Sequence, residues 1–308
     1  MATMIFTHPA CLDHDPGPGH PERPDRLRVI LEALKAPEFA ALDWREAPRA
    51  DDSQLELVHP ARYVAQILQT VPQGGRVSLD LDTAMSPGSG EAALRAVGAV
   101  CAAVDTLAAG EESNAFCAIR PPGHHAEPER AMGFCLFNNV AIAAFYARKA
   151  HGLERVAVVD FDVHHGNGTQ AVFEDDADMF YASTHQWPAY PGTGAAHETG
   201  VGNIVNVPLE PMSGSAEFRE AMGGRALPAL SEFAPDLVLI SAGFDAHADD
   251  PLASLQLRED DYAWVTREIL KIAAECCGGR VASVLEGGYD LDALKASCAA
   301  HVRALMEG

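Results

Sequence analysis

Residues 155–168 read Arg-Val-Ala-Val-Val-Asp-Phe-Asp-Val-His-His-Gly-Asn-Gly. The run Val156–Val159 is apolar without alternation, the pattern of a strand buried on both faces. Beyond it Asp160, Asp162 and His164 recur at i, i+2, i+4, which in an extended chain places them on one face, converging on one point. In open α/β proteins the crevice beyond the carboxyl ends of parallel strands is where ligands bind. A buried strand ending in two carboxylates and two imidazoles therefore predicts a parallel sheet with a metal at its edge.

Outward from this segment the same alternation continues. Met4–His8, Ala115–Ile119, Arg155–Asp160, Asp178–Ser183, Asn203–Val207, Asp236–Ser241 and Arg280–Leu285 are predicted strands. Glu91–Ala109, Asn138–Ala150, Ser215–Phe233, Arg258–Cys277 and Leu291–Met306 have good helix formers and apolar residues at helical spacing. The alternation predicts an α/β fold, a mostly parallel sheet covered on both faces by helices. No segment has the composition of a linker, so the 308 residues are expected to form one domain, 1–308.

Composition narrows the partners. Asp and Glu number 44 against 22 Lys and Arg, for a net charge of -22, which argues against direct nucleic-acid binding. The seven cysteines show no metal-ligand spacing and read as reduced, mostly buried thiols of a cytoplasmic protein. No basic-then-apolar leader opens the chain and no apolar run approaches membrane-spanning length, so no membrane association is expected.

Four strand ends carry the chemistry. Ile119 is followed by Arg-Pro-Pro-Gly-His-His, Val159 by Asp-Phe-Asp-Val-His-His, Ile240 by Ser-Ala-Gly-Phe-Asp-Ala-His, and Leu285 by Glu-Gly-Gly-Tyr. Asp162 and His164, with Asp245 from another strand, form a three-ligand set with room for a further ligand, as in catalytic zinc sites. Such an ion lowers the pKa of its bound water to about 7 and polarises a carbonyl. Carboxylate-rich ligation also suits iron or manganese. His124 and His125 are adjacent in a Gly-flanked loop, and an imidazole titrating near neutral pH can accept a proton there. Asp160 and Asn167 are candidates to orient these rings. Gly287 and Gly288 permit a tight turn that leaves Tyr289 free to donate its phenol to a developing oxyanion. His165 is given no role.

Taken together these loops resemble the metal-dependent histone deacetylase-type amidohydrolases of the arginase/deacetylase superfamily. The likeness spans nearly the whole chain. It is carried by His20-Pro-Glu-Arg-Pro-Asp-Arg26, Arg120-Pro-Pro-Gly-His-His125, Gly133-Phe-Cys-Leu-Phe-Asn-Asn139, Asp160 to Gln170, Ser183-Thr-His185, Pro191-Gly-Thr-Gly194, Ser241-Ala-Gly-Phe-Asp245 and Leu285-Glu-Gly-Gly-Tyr289. Asn167 and the last motif fit the class II and bacterial members better than class I. The resemblance implies a three-layer α/β/α fold with an eight-stranded sheet. It implies zinc on Asp162, His164 and Asp245, or iron(II) in its place. His125 would be the principal base and His124 its partner, supported by Asn167 and Asp160 respectively, and Tyr289 would polarise the amide carbonyl.

It further implies potassium near the zinc at Asp160, Asp162, His164, Ser183 and Thr184, and a second potassium at Phe173, Asp176 and Met179. The substrate tunnel would be walled by Gly133, Phe134, Tyr190 and Leu252, with Gly287 and Gly288 also binding substrate and Arg26 lining an inner channel for released acetate. Polyamine-specific relatives carry glutamate where this chain has Leu252, so acyl-lysine is the expected substrate and an acetylpolyamine or other small acylated amine the alternative. The residue gripping the substrate backbone is left unassigned within Leu79–Gly90, and the assembly is left open between homodimer and homotetramer.

Overall fold

The computed structural model describes residues 3–110 and 114–308; the first two residues of the N-terminal segment lie outside that range. Eight strands form the main sheet: β1 Met4–Thr7, β2 Asp43–Glu46, β3 Asn114–Cys117, β4 Val156–Asp160, β5 Met179–Gln186, β6 Ile204–Leu209, β7 Leu237–Ala242 and β8 Val281–Leu285. Their order is β2-β1-β3-β8-β7-β4-β5-β6, and every neighbouring pair is parallel. Helices α1 Pro24–Ala33, α5 Glu259–Cys277 and α6 Leu291–Glu307 form one layer; α2 Ser89–Ala109 and α3 Asn139–His151 pack together in another. This is the expected three-layer α/β/α architecture. Helix α4, Asn167–Phe173, follows the loop at the end of β4.

β4 and β7 are buried at every residue, as apolar runs without alternation require. Their register pairs Asp160 with Ser241, and β4 pairs Asp160 with Ser183 of β5. Leu285 at the end of β8 lies opposite Ala242 of β7. Neighbouring strands thus stop level, and the loops that follow them meet at one edge.

Three sequence expectations needed adjustment. β2 was not anticipated: Asp-Trp-Arg-Glu alternates half-buried and exposed positions on an edge strand, where charge discourages further pairing. The helix predicted at 215–233 runs as Ser215–Ala221 and Leu227–Phe233 around a π turn at Met222–Ala226, where two glycines loosen the helical ladder. Finally, Ser89–Ala109 is long and apolar enough to cross a membrane by length and composition, contrary to the reading above. Because 72% of its apolar window is buried inside the fold, its apolarity serves the core between sheet and neighbouring helices.

Candidate active site

The loops after β4 and β7 bring Asp162, His164 and Asp245 together, with one donor atom from each within 4.8 Å of the others. His164 Nδ1 lies 3.3 Å from Asp162 Oδ1 and 3.2 Å from Asp245 Oδ2. The carboxylates are held by backbone amides: Val163 donates to Asp245 Oδ1 at 2.9 Å, and Gly287 to Asp162 Oδ2 at 2.8 Å. Gly287 leaves the space they occupy, since a Cβ there would sit 2.1 Å from Asp245 Oδ2. Two buried carboxylates side by side are costly unless a cation lies between them. One imidazole and two carboxylates suit a divalent ion with positions to spare, so the residues fit the expected metal.

The two adjacent histidines are electrically unlike. His124 Nδ1 donates to Asp160 Oδ2 at 3.0 Å. Burial opposes charge on this ring, but Asp160, Asp162 and Glu286 outweigh it and raise its pKa to about 10. For His125, burial and then the charge of His124 push the pKa well below the usual range. Its tautomer follows from its neighbours. Asn167 Nδ2 donates to Glu127 Oε1 at 2.8 Å, so Asn167 Oδ1 is the atom 2.9 Å from His125 Nδ1. Nδ1 carries the proton, leaving Nε2 as a free acceptor.

The Tyr289 ring lies 4.8 Å from the Arg26 guanidinium carbon and 5.8 Å from the ring of Phe134. Burial raises the phenol pKa well above its usual value, so it is a neutral donor. Arg26 is itself buried, donating to Glu22 and to the carbonyls of Gly288 and Glu286. A cavity of about 210 Å³ leads to these groups, walled by Gly133, Phe134, Tyr190 and Leu252 and ending at His125, His164 and Tyr289. Gly133 has φ +56°, and a Cβ would lie 2.4 Å from the His125 ring, so this wall touches the imidazole through bare backbone. Tyr190 stands 5.1 Å from that ring on another side.

The histone deacetylase domain family matches residues 20–305. The chain belongs to the histone deacetylase family. It is 41% identical to a histone deacetylase-like amidohydrolase of Pseudomonas aeruginosa, over 93% of this chain and 81% of that protein. It is 38% identical to a probable deacetylase of Archaeoglobus fulgidus, over 95% and 82% respectively. Among solved structures, the HDA15 HD domain superposes with a TM-score of 0.93 at 35% identity, covering 99% of this chain and 88% of that one. The chain is a hydrolase of amide bonds in a metal-dependent family.

In this deacetylase three carboxylates matter that sequence reasoning left without roles. Glu286 Oε2 accepts from the amides of Gly123 at 2.7 Å and His124 at 3.2 Å, tying the histidine loop to the tyrosine loop. Its sequence signal is an acid directly after the mostly apolar run Val281–Leu285. Asp250 accepts from the amide of Tyr289 at 2.7 Å through one oxygen and from that of Leu252 at 3.0 Å through the other. Asp82, within the loop left unassigned, accepts from the Gly133 amide at 3.1 Å and faces the cavity mouth. Nothing in the local spacing distinguished Asp82 or Asp250 from other loop acids.

His165 bridges Thr193 and Gln170, at 2.8 and 2.9 Å, and so braces the loop after Tyr190 from beneath. His247, two residues after Asp245, lies outside the cluster and faces Asp249 and Glu259. The larger concavity, about 650 Å³ between the ends of α5 and α6, contains none of these groups. Of the potassium sets, Asp160 and Ser183 are register partners, and the buried Thr184 Oγ1 has no hydrogen-bond partner among the described residues. The carbonyls of Phe173, Asp176 and Met179 also converge, and what they converge on is Asn203 Nδ2.

Proposed function

We propose that this deacetylase removes acetyl or other acyl groups from the side chains of N-acyl-lysine in proteins or peptides, with Asp162, His164 and Asp245 holding zinc. The observation that carries the reading is the convergence of the unprotonated His125 Nε2, the Tyr289 phenol and the Asp162–His164–Asp245 cluster at the end of one narrow cavity. Zinc, when bound, acidifies a water and polarises the substrate carbonyl. His125 Nε2 takes the proton from the attacking water and returns it to the leaving nitrogen. Tyr289 donates its hydroxyl to the carbonyl oxygen as charge develops there. His124, kept positive beside Asp160, adds favourable potential at the same place. The C–N bond breaks to give an amine and a carboxylate, and Arg26, behind Tyr289, would face the departing acid.

Asn167 acts through His125. Asn167→Ala is expected to lower kcat about 10- to 100-fold, the usual effect of removing a group that orients a ring in a metal site. Stopped assays under saturating substrate measure it, and an unchanged kcat removes Asn167 from this role.

The rim supports acyl-lysine over acetylpolyamine, because Leu252 offers an extended amine no charge. An acetyl-lysine peptide is expected to show higher kcat/KM than N-acetylspermidine or N-acetylputrescine; equal or better polyamine turnover overturns the lysine reading. Leu252→Glu is expected to move the ratio toward polyamines by about tenfold or more, since hydrogen bonds to charged groups contribute about 1.5–3 kcal/mol.

We place a structural potassium at Asp160, Asp162, His164, Ser183 and Thr184, where hard oxygen donors gather. The seven free cysteines support a reducing, cytoplasmic setting for one deacetylase domain over 1–308. Neither nucleic acid nor membrane enters this reading, and the acidic surface favours cationic partners.

A further inference from the structure

Asn203 sits immediately before β6, after Gly200-Val-Gly202, and is only 5% exposed. Its Nδ2 is 2.8 Å from the carbonyl of Phe173, 3.0 Å from that of Asp176 and 2.6 Å from that of Met179. These are the three residues at which family resemblance implies a second potassium. The amide is not free to turn over. Its Oδ1 accepts from the Val201 amide at 3.1 Å, and reversing it would set an oxygen against three carbonyls and an NH₂ against an N–H. Gly200 makes the room: with φ +55°, a Cβ there would lie 2.6 Å from Asn203 Oδ1.

Rings of carbonyl oxygens bind potassium by replacing its hydration shell. Here a side-chain NH₂ occupies the centre and shares its two protons among three acceptors. The nearby Asp176 carboxylate is already engaged, accepting from Arg148 Nη1 at 2.5 Å and from the Asp178 amide at 3.1 Å. The Phe173 carbonyl closes α4, the helix that begins with Asn167, so the group at this point also satisfies a helix terminus.

We propose that Asn203 takes the place of the second potassium ion, so that the segment from α4 to β5 is fastened by the chain itself and carries no ion there. The consequence is a protein whose local stability does not follow potassium at this point, and which acquires a new cation site when the amide is removed.

The test is anomalous scattering from crystals of the full chain grown or soaked in rubidium chloride, for the wild type, Asn203→Ala and Asn203→Asp. The wild type is expected to show no rubidium peak among the carbonyls of Phe173, Asp176 and Met179, and each variant that crystallises is expected to show one. Asn203→Asp guards against poor folding of the alanine variant, because it keeps the side-chain volume and adds charge that recruits the cation. A rubidium peak there in the wild type, with the Asn203 side chain displaced, overturns the proposal. So does absence of the peak in wild type and variants alike, which would mean that the carbonyls form no cation site to be replaced. In solution, replacing choline chloride by potassium chloride is expected to raise the melting midpoint of Asn203→Ala by a few degrees more than that of the wild type. Equal shifts count against the proposal. Neither readout depends on turnover, so failure of the catalytic reading would leave the result intact.

Discussion

His125→Ala is expected to lower kcat on an acetyl-lysine peptide by about 10²- to 10⁴-fold, the contribution of a positioned general base. The geometry isolates this role. His125 is not among the three residues whose donor atoms cluster, so metal content measured by atomic emission should remain near one ion per chain. Its Nδ1 is committed to Asn167, leaving Nε2 as the only acceptor on the ring. Burial, reinforced by the charge on its neighbour His124, keeps it unprotonated, so the nitrogen is available at neutral pH. Because the missing step lies in the chemistry, KM should change far less than kcat. A variant within a few-fold of wild-type turnover sinks the assignment, and a variant that has lost its metal shows that the ring is structural.

Tyr289→Phe is the second large effect. Removing one preorganised donor to a developing oxyanion costs about 10²- to 10³-fold in kcat, or about 2.7–4 kcal/mol. The phenylalanine ring keeps its packing between Arg26 and Phe134, and the backbone amide keeps its bond to Asp250. Only the hydroxyl is lost. The burial that raises the phenol pKa makes this group a donor across the working pH range, so the defect should be constant with pH rather than appear at one end. Near-normal turnover, or a defect confined to KM, would place the tyrosine in substrate binding alone.

What the sequence could disclose followed from how local its signals were. Val156–Val159 and Leu237–Ile240 announce central strands because burial on both faces leaves an apolar run, and both lie inside wholly buried strands. The pairing of Asp162 with His164 was legible from spacing along one strand end, whereas Asp245, 81 residues from His164, enters by topology. β2 was hidden because an edge strand has no need of an apolar face. Glu286, Asp250 and Asp82 were hidden for another reason. They act by accepting backbone amides, and an amide donor has no residue identity to read. Asn203 lay within a predicted strand, and its amide meets three carbonyls only after β5 and β6 have paired.

The strand order also governs how the molecule comes into being. β8, the last of these eight strands in chain order, inserts between β3 and β7, in the middle of the sheet. A nascent chain released only up to residue 280 therefore presents two unpaired parallel edges where an interior should be. It also lacks Glu286 to hold the histidine loop and Gly287 to hold Asp162. Pairings of such long sequence separation close slowly and leave strand edges open to wrong partners. Ribosome-bound intermediates should thus be inert and dependent on chaperones until β8 and the loop that follows it emerge. Truncation inside β8 should yield aggregates, with no weakened enzyme among the products.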